Sequence, residues 1–586
     1  MSIPGPGFGA WALALLVFAA ASAIVGGAVR TAALRWVRSW RSLGPVERLV
    51  LDLYLGGAVV YAVALPPLGL FGVATFPVLL ALAVAYLLVR AYRLGRRASG
   101  EAVVAAARRY LSPGPTIALL AAGALGVFEL ALAIGVPTGN TYDASQLATY
   151  TALLLTQHSV PTSLAGVGLS IPVAYPQGGS VWMGTAQLLF ALPPARTAVL
   201  VTPLFLALAP LGAYTLGDRW MGGEHAGATL AVAFAVLTTW TRVQVSGSYD
   251  FVLAFPLTLL LIALSRAWCG PDPLTWKDAA AFGLVAGYAA ALSPVGIGWW
   301  FLALPFVAGA VAAGRWFGDV RRWFGRYVLA LAMAAVPIAP SLGTVASGVG
   351  HLGFAGEEPV VGRLAPVGLT GSQIAGYVDP FVFGPSNQWL SPFPVVRDEI
   401  AILLVVGLLL LALRPSYAGD WSPFAGLAFG GVVSAAAWFG VEWLAGQGVS
   451  PFRGIAPITN GAELSEMLFT VYALVAMVPL LVLVDRWARA RPVEAARSRR
   501  WSLPAGGPPS ATVAIAVVGL LLAPGVAASA TEMPNDLATL YRSFGNVSAD
   551  DFALFAWASR HLPDGARVLV APGSAAQFLT AYDPSL

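Results

Sequence analysis

The sequence predicts an all-α polytopic membrane protein with about 14 transmembrane helices. Three observations point there. Only 10% of the 586 residues are charged, where a soluble protein carries roughly 25%. The mean hydropathy is +0.76 and apolar runs long enough to cross a bilayer recur along the chain. The basic residues fall mostly in alternate loops, as they do when positive charge stays on the cytoplasmic side.

The first apolar run, 8–29, has no basic segment before it and is followed by Arg30, Arg35, Arg38 and Arg41. That flank marks a first span with its N-terminus outside, and argues against a cleaved signal peptide. Further spans are expected at 47–65, 70–92, 114–136, 196–217, 226–243, 251–268, 279–294, 297–314, 327–344, 400–413, 423–444, 465–484 and 511–529. With this count both termini face outward and 25 of the 33 basic residues lie on the inner side. An error in the count would invert the charge bias downstream of it. Three outer loops are long, 137–195, 345–399 and 445–464, and long loops in a compact protein usually carry function. After 530 the hydropathy falls. The stretch SADDFALFAWASRHLPDGARVLVAPGSAAQFLTAY reads as helix, turn, strand RVLVA and helix. Such a unit is too small to bury a core alone, so it is expected to begin an extracytoplasmic α/β domain that the native chain continues. The expected organisation is thus additional helices over 1–113, a transmembrane core over 114–529 and the start of an outer domain over 530–586.

Other classes are not supported. The single cysteine, Cys269, forms no intramolecular disulfide or thiolate cluster. No phosphate-binding P-loop or dinucleotide fingerprint is present. The net charge of +5 reports topology, and nothing suggests nucleic-acid binding.

The segment TGNTYDASQLATY, 138–150, sets one carboxylate, Asp143, just beyond the span 114–136. DASQLATYTALLLTQHS then reads as a helix with an apolar face lying along the membrane surface, with Asp143 at its N-cap and Gln146 and His158 within it. A Gly-rich link leads through Tyr175, Pro176, Gln177 and Gly178 to the run VWMGTAQLLFAL, which is too short to span and ends at Pro193-Pro194.

An acid after a spanning helix, an interfacial helix, a Tyr-Pro-x-Gly turn and a short helix resemble the GT-C superfamily, integral-membrane glycosyltransferases that use polyprenyl-phosphate-linked sugars. The resemblance covers roughly 114–586 and is most specific over 137–180. It implies that Asp143 is the catalytic base or acceptor-orienting residue and that the helices before 114 are an addition to a GT-C-like core. It also places a second acid in the loop TRVQVSGSYDF, where Asp250 stands beside Tyr249. Many relatives carry two close acids there and this chain has one, which argues against a tightly held metal ion. A divalent cation is the one cofactor the family pattern admits, and no metal ligand set is assigned. The implied partners are a polyprenyl-phosphate-linked sugar, an extracytoplasmic glycan, lipid or protein acceptor, and the bilayer of the cell membrane, with the site on the outer side.

A leaving phosphate needs positive charge or hydrogen-bond donors. The outer-side candidates are Arg453, Arg363, Arg242 and Arg397, with Tyr175 and Tyr249 as further donor-binding residues; a snorkelling interfacial arginine explains Arg453 equally well. Glu129 lies inside the span 114–136, where a carboxylic acid is either functional or protonated and bonded between helices. His158 suits a solvated loop as well as a site. His351, Glu357 and Glu358 share HLGFAGEEP without metal-like spacing. The rival readings are a transporter or flippase of lipid-linked sugars, which calls for broken helices in matched halves and midplane charges, an inactive GT-C-like scaffold, and a ligase-type enzyme with clustered outer arginines.

Overall fold

In the computed structural model the described residues are 7–95 except 67, 112–135, 143–162, 177–220 except 193, 223–236, 249–269, 274–293 and 320–348. To these are added positions within 402–410, 477–484 and 516–527, most of 549–568, and 579. The helices are α1 (Phe8–Ala33), α2 (Pro45–Ala64), α3 (Thr75–Gly95), α4 (Pro113–Gly135), α5 (Asp143–Gln157), α6 (Gly178–Phe190), α7 (Pro194–Trp220), α8 (Glu224–Val236), α9 (Tyr249–Ser265), α10 (Trp276–Leu292), α11 (Val320–Gly348) and α12 (Ala549–His561).

Among the described residues, five helices are long and apolar enough to cross a membrane: Phe8–Ala33, Thr75–Arg93, Pro113–Ile134, Arg196–Trp220 and Tyr249–Trp268. Helix α2 carries Glu47, Arg48 and Asp52 in its first half. Two of these charges are paired. Arg30 of α1 holds both oxygens of Asp52, at 2.6 and 3.0 Å, and Arg219 of α7 holds both oxygens of Glu47, at 2.5 and 2.7 Å. The spans expected at 297–314 and 423–444 lie outside the described residues, and those at 400–413, 465–484 and 511–529 are described at a few positions only.

Hydrogen bonds sort the helix ends into two sets. At one end Glu47 meets Arg219, Ser39 donates to Asp278 at 2.9 Å through both its N–H and its hydroxyl, and Ser112 donates to Glu224 at 3.2 Å. At the other end the Phe71 N–H donates to the His158 carbonyl at 2.8 Å, Val160 N–H donates to the Ala64 carbonyl at 2.8 Å, and Arg196 donates to the Ile134 carbonyl at 3.3 Å. Successive long helices from α1 to α4 and from α7 to α10 therefore alternate in direction, the order expected from the hydropathy runs. Helices α10 and α11 pack in the same direction.

Hydrophobic burial does not drive helices together in lipid, so close backbone approach and polar contacts do. Gly26 and Gly56 let α1 and α2 meet backbone to backbone, against Asp52 and Ser22, and Gly283 and Gly287 of α10 seat on Ala330 and Ala334 of α11. The start of α10 is fixed by a capping box. The Thr275 hydroxyl donates to Asp278 at 2.6 Å and accepts the Asp278 N–H at 3.2 Å. Burial opposes ionisation of Asp278, which precedes the expected span 279–294, but the bonds from Thr275 and Ser39 outweigh it and hold the carboxyl below the usual carboxylate range.

Candidate functional site

The two non-spanning helices, α5 and α6, run side by side in the same direction. Gly179 of α6 faces Leu147 of α5, and Gly184 faces Leu154. Both helices lie at the His158 end of the bundle. Trp182 anchors the middle of α6, with its ring 5.4 Å from Phe18 of α1 and 5.1 Å from Phe205 of α7, both edge to face. Phe190 closes the far end of α6 against Trp11, at 5.5 Å. The sequence reading places α5 along the membrane surface with one apolar face. In the structure it is packed more fully, with Ser145 and Thr151 buried as well as Ala144, Ala148, Leu153 and Leu154.

The start of α6 is the point of convergence. The glycine of the Tyr-Pro-x-Gly turn, Gly178, approaches the backbone at the end of α10 so closely that a Cβ there would lie 2.6 Å from the Ala291 carbonyl oxygen. At Gly179 a Cβ would lie 3.1 Å from Leu253 Cδ1 of α9 and 3.4 Å from Leu147 Cδ1 of α5. Leu147 and Leu253 each stand four residues into their helices, about 6 Å along the axis. Asp143, which opens α5, and Tyr249 and Asp250, which open α9, thus begin their helices one turn from a shared contact. The starts of α5, α6 and α9 thus approach one point, and the N-terminal end of each helix carries partial positive charge from its macrodipole.

Tyr249 is buried and Asp250 half-buried. Gln146 lies in the first turn of α5. Glu129 is fully buried within α4, inside the bundle and away from lipid. His158 follows α5 with a positive φ of 56° and its Nδ1 3.0 Å from the Phe71 carbonyl oxygen. It pins the connection between α2 and α3. Tyr175, Arg242, Arg363, Arg397, Arg453, His351, Glu357 and Glu358 lie outside the described residues. No group of three or more His, Cys, Asp or Glu side chains suited to a metal ion occurs among the described residues.

The sequence reading passes over three residues at this end. Arg196, in the first turn of α7, is 4% exposed and reaches the last turn of α4. Its only sequence signal is a cation two residues after Pro194 at the edge of a span. Ser180, in the first turn of α6, and Ser293, just past α10, are buried with hydroxyls that make no hydrogen bond among the described residues. Nothing in their sequence neighbourhood marks them.

No protein-family model and no curated protein matches the chain. In backbone arrangement it is similar to the oligosaccharyltransferase of Archaeoglobus fulgidus in its apo form, at 15% identity and a TM-score of 0.41 over 80% of this chain and 61% of that one. It is also similar to the archaeal oligosaccharyltransferase AglB from Archaeoglobus fulgidus in complex with an inhibitory peptide and a dolichol-phosphate, at 16% identity and a TM-score of 0.38 over 79% and 60%. The chain spans about three fifths of the length of each.

Proposed function

We propose that the protein is a GT-C-type glycosyltransferase that moves a sugar from a polyprenyl-phosphate carrier to an extracytoplasmic glycan, lipid or protein. The observation that carries this reading is the convergence at Gly179 of the helix that Asp143 opens, the helix that Asp250 opens and the start of α6. Acidic residues that open two of the helices starting at one point suit a reaction in which one group gives up a proton and another leaves as a phosphate.

In the proposed step an acceptor hydroxyl attacks the anomeric carbon from the face opposite the phosphate. Asp143 takes the hydroxyl proton, the new C–O bond forms, the anomeric C–O bond to phosphate breaks, and the polyprenyl phosphate departs with inversion. Asp250 orients the acceptor. The N–H groups at the starts of α5, α6 and α9, together with Arg196 and Arg453, receive the developing negative charge. Ser180 and Ser293 supply hydroxyl donors near the same end. The lipid tail stays in the bilayer and the site faces the outer side of the cell membrane.

The test is transfer in isolated membranes from a panel of radiolabelled polyprenyl-phosphate sugars, comparing the native chain with Asp143→Asn at matched expression and insertion. The native chain is expected to consume a donor, and the variant to be slower by about 10²–10⁴-fold, the usual contribution of a positioned base. Equal consumption by both removes Asp143 from the chemistry. No transfer by the native chain from any donor refutes the donor class.

A further inference from the structure

Three long-range hydrogen bonds tie α1 and α2 to the rest of the bundle, and they share a pattern. Trp11 Nε1 donates to the Leu200 carbonyl of α7 at 2.9 Å, the Tyr54 hydroxyl to the Leu253 carbonyl of α9 at 2.6 Å, and the Tyr61 hydroxyl to the Pro337 carbonyl of α11 at 2.9 Å. All three donors are at most 2% exposed. Each acceptor is the third residue before a proline within its helix: Pro203, Pro256 and Pro340.

The placement has a physical cause. A proline inside a helix has no N–H for the carbonyl four residues back, and its ring presses on that turn and bends it. The ladder opens on the side of the bend, where the carbonyls four and three residues before the proline lie. Water would cover those oxygens in a soluble protein, but inside a bilayer a neighbouring helix must do so. Here the aromatic N–H and O–H tips of α1 and α2 reach in from the side.

We infer that the α1–α2 hairpin is an intramolecular strap, supplying hydrogen-bond donors to the turns of α7, α9 and α11 that lead into Pro203, Pro256 and Pro340. Its own geometry fits the task. The Arg30–Asp52 pair and the Gly26 and Gly56 contacts hold the two helices as one unit. The Glu47–Arg219 and Ser39–Asp278 contacts fasten that unit at the opposite end of the bundle. The strap also reaches the convergence point described above. Leu253, whose carbonyl accepts from Tyr54, is the residue whose side chain faces Gly179. The hairpin thereby holds α9 one turn from its start, whatever reaction that start serves.

The strap predicts a specific coupling. Replacing Pro256 by alanine supplies the N–H that the Val252 carbonyl lacks and removes the ring, so the turn can close and the Leu257 N–H can pair with the Leu253 carbonyl; the Tyr54 hydroxyl should then lose most of its value in that background. The test is a double-mutant cycle on the full chain in bicelles, with SDS-induced unfolding of the native protein, Tyr54→Phe, Pro256→Ala and the double variant. Tyr54→Phe is expected to shift the unfolding equilibrium by about fivefold in the native background and by less than about twofold beside Pro256→Ala. Equal shifts in the two backgrounds would mean an ordinary interhelical bond and overturn the inference. Tyr61→Phe with Pro340→Ala forms a second, independent cycle with the same two outcomes. Should a proline variant not fold, amide exchange of Tyr54→Phe alone decides. Faster exchange confined to residues 249–257 is expected, and unchanged exchange there overturns the strap.

Discussion

Gly178 and Gly179 are neighbours at the start of α6, and the structure predicts opposite tolerance to the same one-carbon change. A Cβ at Gly178 would stand 2.6 Å from the Ala291 carbonyl oxygen and 2.8 Å from its carbon, both backbone atoms. An ordinary carbon–oxygen contact is about 3.3 Å or longer, so α6 and the end of α10 must part by about 0.7 Å. No side-chain rotation relieves this. The cost belongs in the upper part of the overpacking range, about 2–3 kcal/mol. At Gly179 the nearest atoms, at 3.1 and 3.4 Å, are leucine methyl ends. They fall short of an ordinary contact by about 0.4 Å or less and move by small side-chain rotations. That cost, under about 1 kcal/mol, is offset in part by the better helix propensity of alanine. Displacement near 1 Å costs a reacting geometry about 100-fold. Gly178→Ala should therefore lose about 10–100-fold in transfer and unfold at lower SDS, while Gly179→Ala stays within about threefold of the native chain. Transfer assays in membranes and unfolding in bicelles measure the two quantities separately. The reverse order, or equal behaviour of the two variants, would refute the claim that the start of α6 is set by backbone contact with α10.

Two further outcomes are expected. Glu47 is 1% exposed and accepts from Arg219 and from the Gly44 N–H at 2.6 Å. Glu47→Gln should destabilise the chain by about 2–3 kcal/mol, near the lower end for a broken buried pair because Arg219 keeps some access to water. An unchanged unfolding midpoint would show that the pair contributes nothing. The Asp278 carboxyl is held below its usual range, so its contribution to stability is complete above the unfolded pKa near 4 and is lost as pH falls through the lower folded value. Asp278→Asn should flatten the acid limb of the stability–pH curve there, and an unaltered limb would rule the carboxyl out.

Hydropathy by itself determined the apolar helices, because the gain on moving about 20 apolar residues into hydrocarbon is a local sum that needs no knowledge of neighbours. Local chemistry also marked Asp143 as the start of a helix after a span and the short helix read at 181–192 and found over Gly178–Phe190; Asp250, which the resemblance put in the loop before a span, lies in the first turn of α9. What only the tertiary structure decided is which of these starts meet. Leu147, Gly179 and Leu253 stand far apart in sequence, and in lipid no wet–dry pattern along the chain announces such a contact. Packing of small residues and placement of single hydrogen bonds select it. The same holds for Arg196, an unremarked cation at a span edge that folding buries, and for the prolines at 203, 256 and 340. Each reads in isolation as a flaw in its helix, and the donors of α1 and α2 that reach the carbonyls three residues before them come from the far end of the chain.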